Sequence, residues 1–94
     1  HMPPVFTRMF AEALHRQSRI SVKEAEDGDR LEPGLALVAP GDYHLRIVRE
    51  SSGYRARLDQ APKVCGHRPS VDVLLHSVAQ AARDRAVGLV MTGM

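Results

Sequence analysis

The chain has 94 residues, 44% hydrophobic and 26% charged, which is enough apolar side chains for one small core and too many for intrinsic disorder. Thirteen Lys and Arg stand against eleven Asp and Glu, a net charge of +2, and they are scattered among the acids, so nucleic-acid binding has no basic stripe to use. A single cysteine, Cys65, excludes an intrachain disulfide and fits a reducing compartment, and no apolar run approaches the ~20 residues of a membrane span, so a cytoplasmic chain without membrane insertion is expected.

From Pro4 to Gln17 the apolar residues Val5, Phe6, Met9, Phe10, Ala13 and Leu14 recur at the spacing of one helix face, with Pro3 and Pro4 at an entry where missing N–H groups cost least. Ile20 to Ala25 reads as a short strand. Asp27-Gly28-Asp29-Arg30 and Glu32-Pro33-Gly34 are turn signals around a lone Leu31, and they punctuate the chain rather than fold. Leu35 to Ala39 is a compact apolar strand closed by Pro40-Gly41-Asp42. His44 to Arg49 and Tyr54 to Leu58 alternate on either side of Glu50-Ser51-Ser52-Gly53, the pattern of a hairpin with one wet, arginine-bearing face. Asp59 to Pro69 is a loop. Ser70 then predicts an N-cap, Asp72 a carboxylate on the helix dipole, and Val71, Leu74, Leu75, Val78 and Ala82 an apolar stripe. Ala86 to Thr92 is nearly unbroken apolar sequence, as in a strand covered on both faces. Helix, strands, hairpin, helix and buried strand together predict part of an α/β sheet carrying an antiparallel insertion.

Serine hydrolysis needs a nucleophile on a strained strand-to-helix turn, an imidazole in reach of it, and a carboxylate that orients the imidazole. None of Ser18, Ser21, Ser51, Ser52, Ser70 and Ser77 sits in such a turn. Cys65 and His67 form a lone Cys-x-His with no second half, since His44 and His76 are not at ligand spacing, so neither a metal nor a cofactor is expected. His15 and His76 fall on helices as surface residues, and His44 starts the hairpin. His67-Arg68-Pro69-Ser70-Val71-Asp72 reads first as a helix entry. It also places His67 and Arg68 where an anionic or ester-bearing ligand would meet a helix N-terminus.

Five motifs in order resemble the catalytic domain of the chemotaxis protein-glutamate methylesterases, the CheB-type hydrolases. They are His1-Met2-Pro3-Pro4-Val5-Phe6-Thr7-Arg8, Lys23-Glu24-Ala25-Glu26-Asp27-Gly28-Asp29-Arg30, Ala39-Pro40-Gly41-Asp42, His67-Arg68-Pro69-Ser70-Val71-Asp72-Val73-Leu74 and Thr92-Gly93-Met94. The resemblance implies a doubly wound, mainly parallel sheet with a β-hairpin. It implies hydrolysis of glutamyl methyl esters and deamidation of glutamines on methyl-accepting chemotaxis receptors by a Ser-His-Asp triad. His1 matches the triad histidine, and Met94 falls in the stretch that lines the family's site, where a backbone N–H would help hold the oxyanion. His67 and Arg68 stay candidates for a site-adjacent role on the helix-entry reading above.

The family's serine turn is expected upstream of His1, its aspartate just beyond Met94 and its receiver domain elsewhere. Residues 1–94 then form a central portion of the catalytic domain, inactive by itself. His1-Met2 alone would also fit a tag remnant, but His-Met-Pro-Pro runs as the family has it without a gap. A competing expectation is a non-catalytic module that associates with itself or another chain through exposed sheet edges, chiefly Ala86 to Thr92.

Overall fold

A computed structural model of the chain describes residues 2–91. Its elements are α1 (Pro4–Gln17), β1 (Ser21–Glu24), β2 (Leu35–Val38), β3 (His44–Glu50), β4 (Gly53–Asp59) and α2 (Val71–Ala82), followed by a 3₁₀ turn at Arg83–Arg85. No helix among the described residues is long and apolar enough to cross a membrane.

α1 starts where the prolines predict, with Pro3 as N-cap and the Pro3 carbonyl accepting from the N–H groups of Phe6 and Thr7. His15 and Arg16 in the last turn suit the negative end of the helix dipole. The buried face, however, is not the predicted stripe. Thr7 and Ala11, one turn apart, are buried on the side that packs against β1, whereas Val5, Phe6, Met9 and Phe10 are 46–68% exposed. Small side chains at positions i and i+4 let the helix lie close to the strand. The larger apolar side chains stay about half exposed or more, with Phe10 lining a recess beside Val38, Leu45 and Leu74.

β1 and β2 pair in parallel, from Ser21 opposite Leu35 to Glu24 opposite Val38. β3 and β4 pair antiparallel from His44 opposite Asp59 to Glu50 opposite Gly53, so Ser51 and Ser52 form the tip. This is the α/β architecture expected, with a parallel pair and an antiparallel hairpin. Alternation puts Leu45, Ile47, Ala56 and Leu58 on the core face of the hairpin and Arg46, Arg55 and Arg57 on the other. There Arg46 pairs with Asp59 at 2.6 Å, and Arg55 pairs with Glu50.

The 27–31 segment does fold, contrary to the reading of it as punctuation. Gly28 N–H donates to the Ala56 carbonyl (2.8 Å), Ala56 N–H to Asp29 (2.8 Å) and Leu31 N–H to Tyr54 (3.0 Å), which lines the free edge of β4. Asp29 shapes the turn by accepting from the Glu26 N–H and from Lys23 Nζ. An unpaired edge exposes backbone groups that must be satisfied somewhere, and this segment satisfies them locally.

α2 covers β3. Ser77, buried, accepts the Ile47 N–H at 2.9 Å and donates to the Leu74 carbonyl at 2.8 Å. Ala25, Leu45, Ile47 and Ala56 form the buried core, with Leu37, Ala39, Leu74, Val78 and Ala81 packed around it. Ser70 occupies the N-cap position, but its hydroxyl makes no capping bond. The predicted strand at Ala86 to Thr92 is absent over 86–91, and Thr92 lies outside the described residues. Val87, Leu89, Val90 and Met91 are 76–97% exposed. A strand apolar on both faces needs neighbours on both, and none of the described elements supplies one.

Candidate functional site

The carboxyl ends of β1 and β2 lie beside the first turn of α1, the region where open α/β sheets place their ligands. β2 runs into Ala39-Pro40-Gly41-Asp42. Gly41 is buried, and a Cβ on it would stand 2.5 Å from the Met2 carbonyl oxygen, 2.6 Å from the Pro4 nitrogen and 2.7 Å from the Pro3 carbonyl carbon. All three are backbone atoms, which cannot swing aside as a side chain can. The glycine therefore serves close approach of the Met2-Pro3-Pro4 backbone.

Thr7 locks this contact. Its hydroxyl accepts the Gly41 N–H at 3.0 Å and lies 2.5 Å from Glu24 Oε2 and 2.8 Å from the Pro4 carbonyl. The hydroxyl has one proton to give, and the nearer carboxylate is the stronger acceptor. One buried side chain thus ties α1, the end of β1 and the turn after β2.

Asp42, at φ 68°, closes the turn. Arg68 donates to Asp42 Oδ1 from Nε (3.1 Å) and Nη2 (2.7 Å), and from Nη1 to the carbonyls of Gln60 (3.1 Å) and Ala61 (3.3 Å). The Arg68 guanidinium beside Asp42 holds its carboxyl below the ordinary carboxylate value, with smaller help from Lys63 and Gln60. Asp59 is likewise lowered, first by the Ala61 N–H and then by Arg46. A recess of about 280 Å³ is lined by Met2, Pro3, Pro4, Asp42, Lys63 and Arg68. A second, more apolar one of about 240 Å³ lies between Met2, Thr7, Phe10, Val38, Leu45 and Leu74.

His1 and Met94, the residues matched to the triad histidine and the site lining, lie outside the described residues. Arg68 borders the recess beside Met2, Pro3 and Pro4, and its guanidinium is committed to Asp42 and the 60–61 carbonyls. His67 is exposed on a tight turn. Val64 and His67 exchange both backbone hydrogen bonds around Cys65 (φ 51°) and Gly66 (φ 79°), the two positive φ values of a type I′ turn. Cys65 is a free, exposed thiol there, and no cluster of three or more metal-ligating side chains occurs among the described residues.

Two histidines have more to do than their sequence positions suggest. His44 is fully buried, with Nδ1 accepting the Ser70 N–H (3.3 Å) and Nε2 facing the Pro62 carbonyl (3.0 Å). With Nδ1 accepting from Ser70, Nε2 is the nitrogen that donates to the Pro62 carbonyl. Strand alternation assigns His44 to the wet face, and only the 60–70 loop folding over that face buries it. His15 Nδ1 accepts the Val22 N–H at 3.0 Å, joining α1 to β1. Lys63, another lining residue, had no signal in the irregular stretch that carries it.

Residues 1–94 match the family model for CheB methylesterase. Over all 94 residues the chain is 56% identical to the protein-glutamate methylesterase/protein-glutamine glutaminase of Chromohalobacter salexigens and 55% identical to that of Salmonella typhimurium. It spans 27% of the length of each. The crystal structure of the Thermotoga maritima CheB methylesterase catalytic domain superposes with a TM-score of 0.81 at 41% identity, over 85% of this chain and 42% of that one. The mixed α/β fold, with its parallel strand pair and antiparallel hairpin, is thus one shared with that catalytic domain. The chain belongs to the CheB methylesterase family.

Proposed function

We propose that the protein carrying these residues hydrolyses glutamyl methyl esters, and deamidates glutamines, on methyl-accepting chemotaxis receptors, with His1 as its general base. The observation that supports this most is identity of 55–56% along the whole stretch to proteins named for both reactions. In this reading residues 1–94 are the central part of the catalytic domain, and the serine and aspartate of the triad come from sequence outside them. The imidazole of His1 takes the proton of the attacking serine hydroxyl, returns it to the departing methanol or ammonia, and then activates the water that clears the acyl-enzyme. A backbone N–H near Met94 helps hold the oxyanion.

Arg68 supports the site from one remove, by holding Asp42 and the 60–61 loop in place. The test is methanol release from methylated receptor by the full-length protein carrying His1→Gln. Activity is expected to fall by about a thousandfold or more, as removal of one triad member does in serine hydrolases. Retention of activity within about tenfold of the parent would overturn the assignment.

A further inference from the structure

We infer that Thr7, acting with Gly41 and Glu24, is a positioning residue for His1; this rests on the reading of His1 as the general base. A proton transfer of that kind needs its imidazole placed to a fraction of an ångström, and a misplacement of about 1 Å costs on the order of a hundredfold in rate. His1 is joined through one peptide bond to Met2, whose carbonyl lies against Gly41. The links around that contact are stiff. Pro3 and Pro4 have fixed φ angles, and Met2 precedes a proline and so is confined to extended backbone.

What holds the contact is the Thr7 hydroxyl. It accepts from the Gly41 N–H and reaches the Glu24 carboxylate from a side chain only 3% exposed. Helix, strand end and turn therefore cannot drift apart without leaving buried polar groups unpaired. Neither the helical periodicity nor the family's triad accounts for a buried threonine at this point. Its place at the seat of the Met2-Pro3-Pro4 segment does.

The experiment measures kcat and KM of methylated-receptor hydrolysis by the full-length protein with Thr7→Val, Thr7→Ser, Gly41→Ala and His1→Gln, alongside thermal unfolding of each. Thr7→Val and Gly41→Ala are expected to lower kcat by about ten- to a hundredfold with KM within about twofold, and Thr7→Ser, which keeps the hydroxyl, to recover kcat to within about threefold. If His1→Gln abolishes turnover while folded Thr7→Val keeps its kcat within about twofold, the positioning role is overturned and the general-base reading stands. If His1→Gln stays active, it is the general-base reading that fails. Failure of both Thr7→Val and Gly41→Ala to fold also overturns the inference, because the group would then determine folding and not alignment.

Discussion

His44 shows how a polar side chain can be spent wholly on structure. Its ring is fully buried, and both nitrogens are engaged, by the Ser70 N–H and the Pro62 carbonyl. His44→Phe preserves bulk but strands both partners, so chemical denaturation is expected to show a loss of about 2 kcal/mol or more. Arg68 and Asp42 make a pH-dependent counterpart. The carboxyl of Asp42 is lowered in the folded state, chiefly by Arg68, so the folded protein binds fewer protons than the unfolded one around pH 4 and below. The stabilisation is present above the ordinary carboxylate pKa and is lost as pH falls through the lowered value. Arg68→Gln is therefore expected to lower the melting temperature at neutral pH, with the gap from the parent closing on acidification. NMR titration of the Asp42 carboxyl carbon should show its pKa rising toward the ordinary range in the variant. His44 was not legible in the sequence as a buried group, because period-2 alternation assigns it to the wet face and nothing local announces the loop that covers it. Gly41 was legible as a turn residue, but its close approach to Met2-Pro3-Pro4 comes from a contact across more than thirty positions in sequence.

At the scale of elements, Ser77 decides how α2 sits on the hairpin. Its hydroxyl satisfies the Ile47 N–H on the edge of β3, and Ser77→Ala leaves that amide buried without its acceptor. The expected cost is about 1–3 kcal/mol in unfolding free energy, with faster hydrogen exchange at the Ile47 amide as the local signature. Both helices, both parallel strands and the hairpin follow from hydrophobic period and turn residues, because those signals are local. The face of α1 did not. A stripe of Val5, Phe6, Met9 and Phe10 reads as the inward side by size, yet Thr7 and Ala11 face β1, since close packing favours small residues and a hydroxyl in reach of Glu24. The stretch 86–91 failed for the complementary reason: its composition describes the neighbours a strand would need, and none of the described elements supplies them.

Among the described residues two groups of exposed apolar side chains stand out, Val5, Phe6, Met9 and Phe10 on α1 and Val87, Leu89, Val90 and Met91 after α2, besides single ones such as Val71 and Ile20. Large apolar side chains left in water favour association. Residues 1–94 produced as a separate polypeptide are expected to sediment as oligomers that Phe6→Lys with Phe10→Lys disperses; a monodisperse monomer of the unsubstituted polypeptide would count against this. The family was legible as a set of motifs in order, with Thr7 in the first of them, whereas the hydroxyl's link from that motif to Glu24 and Gly41 in the next two was not, because it exists only once the chain has folded. The strap at residues 28–31 has a consequence of another kind. It is both part of the link from β1 to β2 and the guard along the edge of β4, so the chain cannot lengthen there without unzipping a sheet. A peptide epitope inserted between the exposed Glu32 and Pro33 should be carried at the cost of one turn hydrogen bond, from the Leu35 N–H to the Glu32 carbonyl, whereas the same epitope after Asp29 should cost the protein its fold.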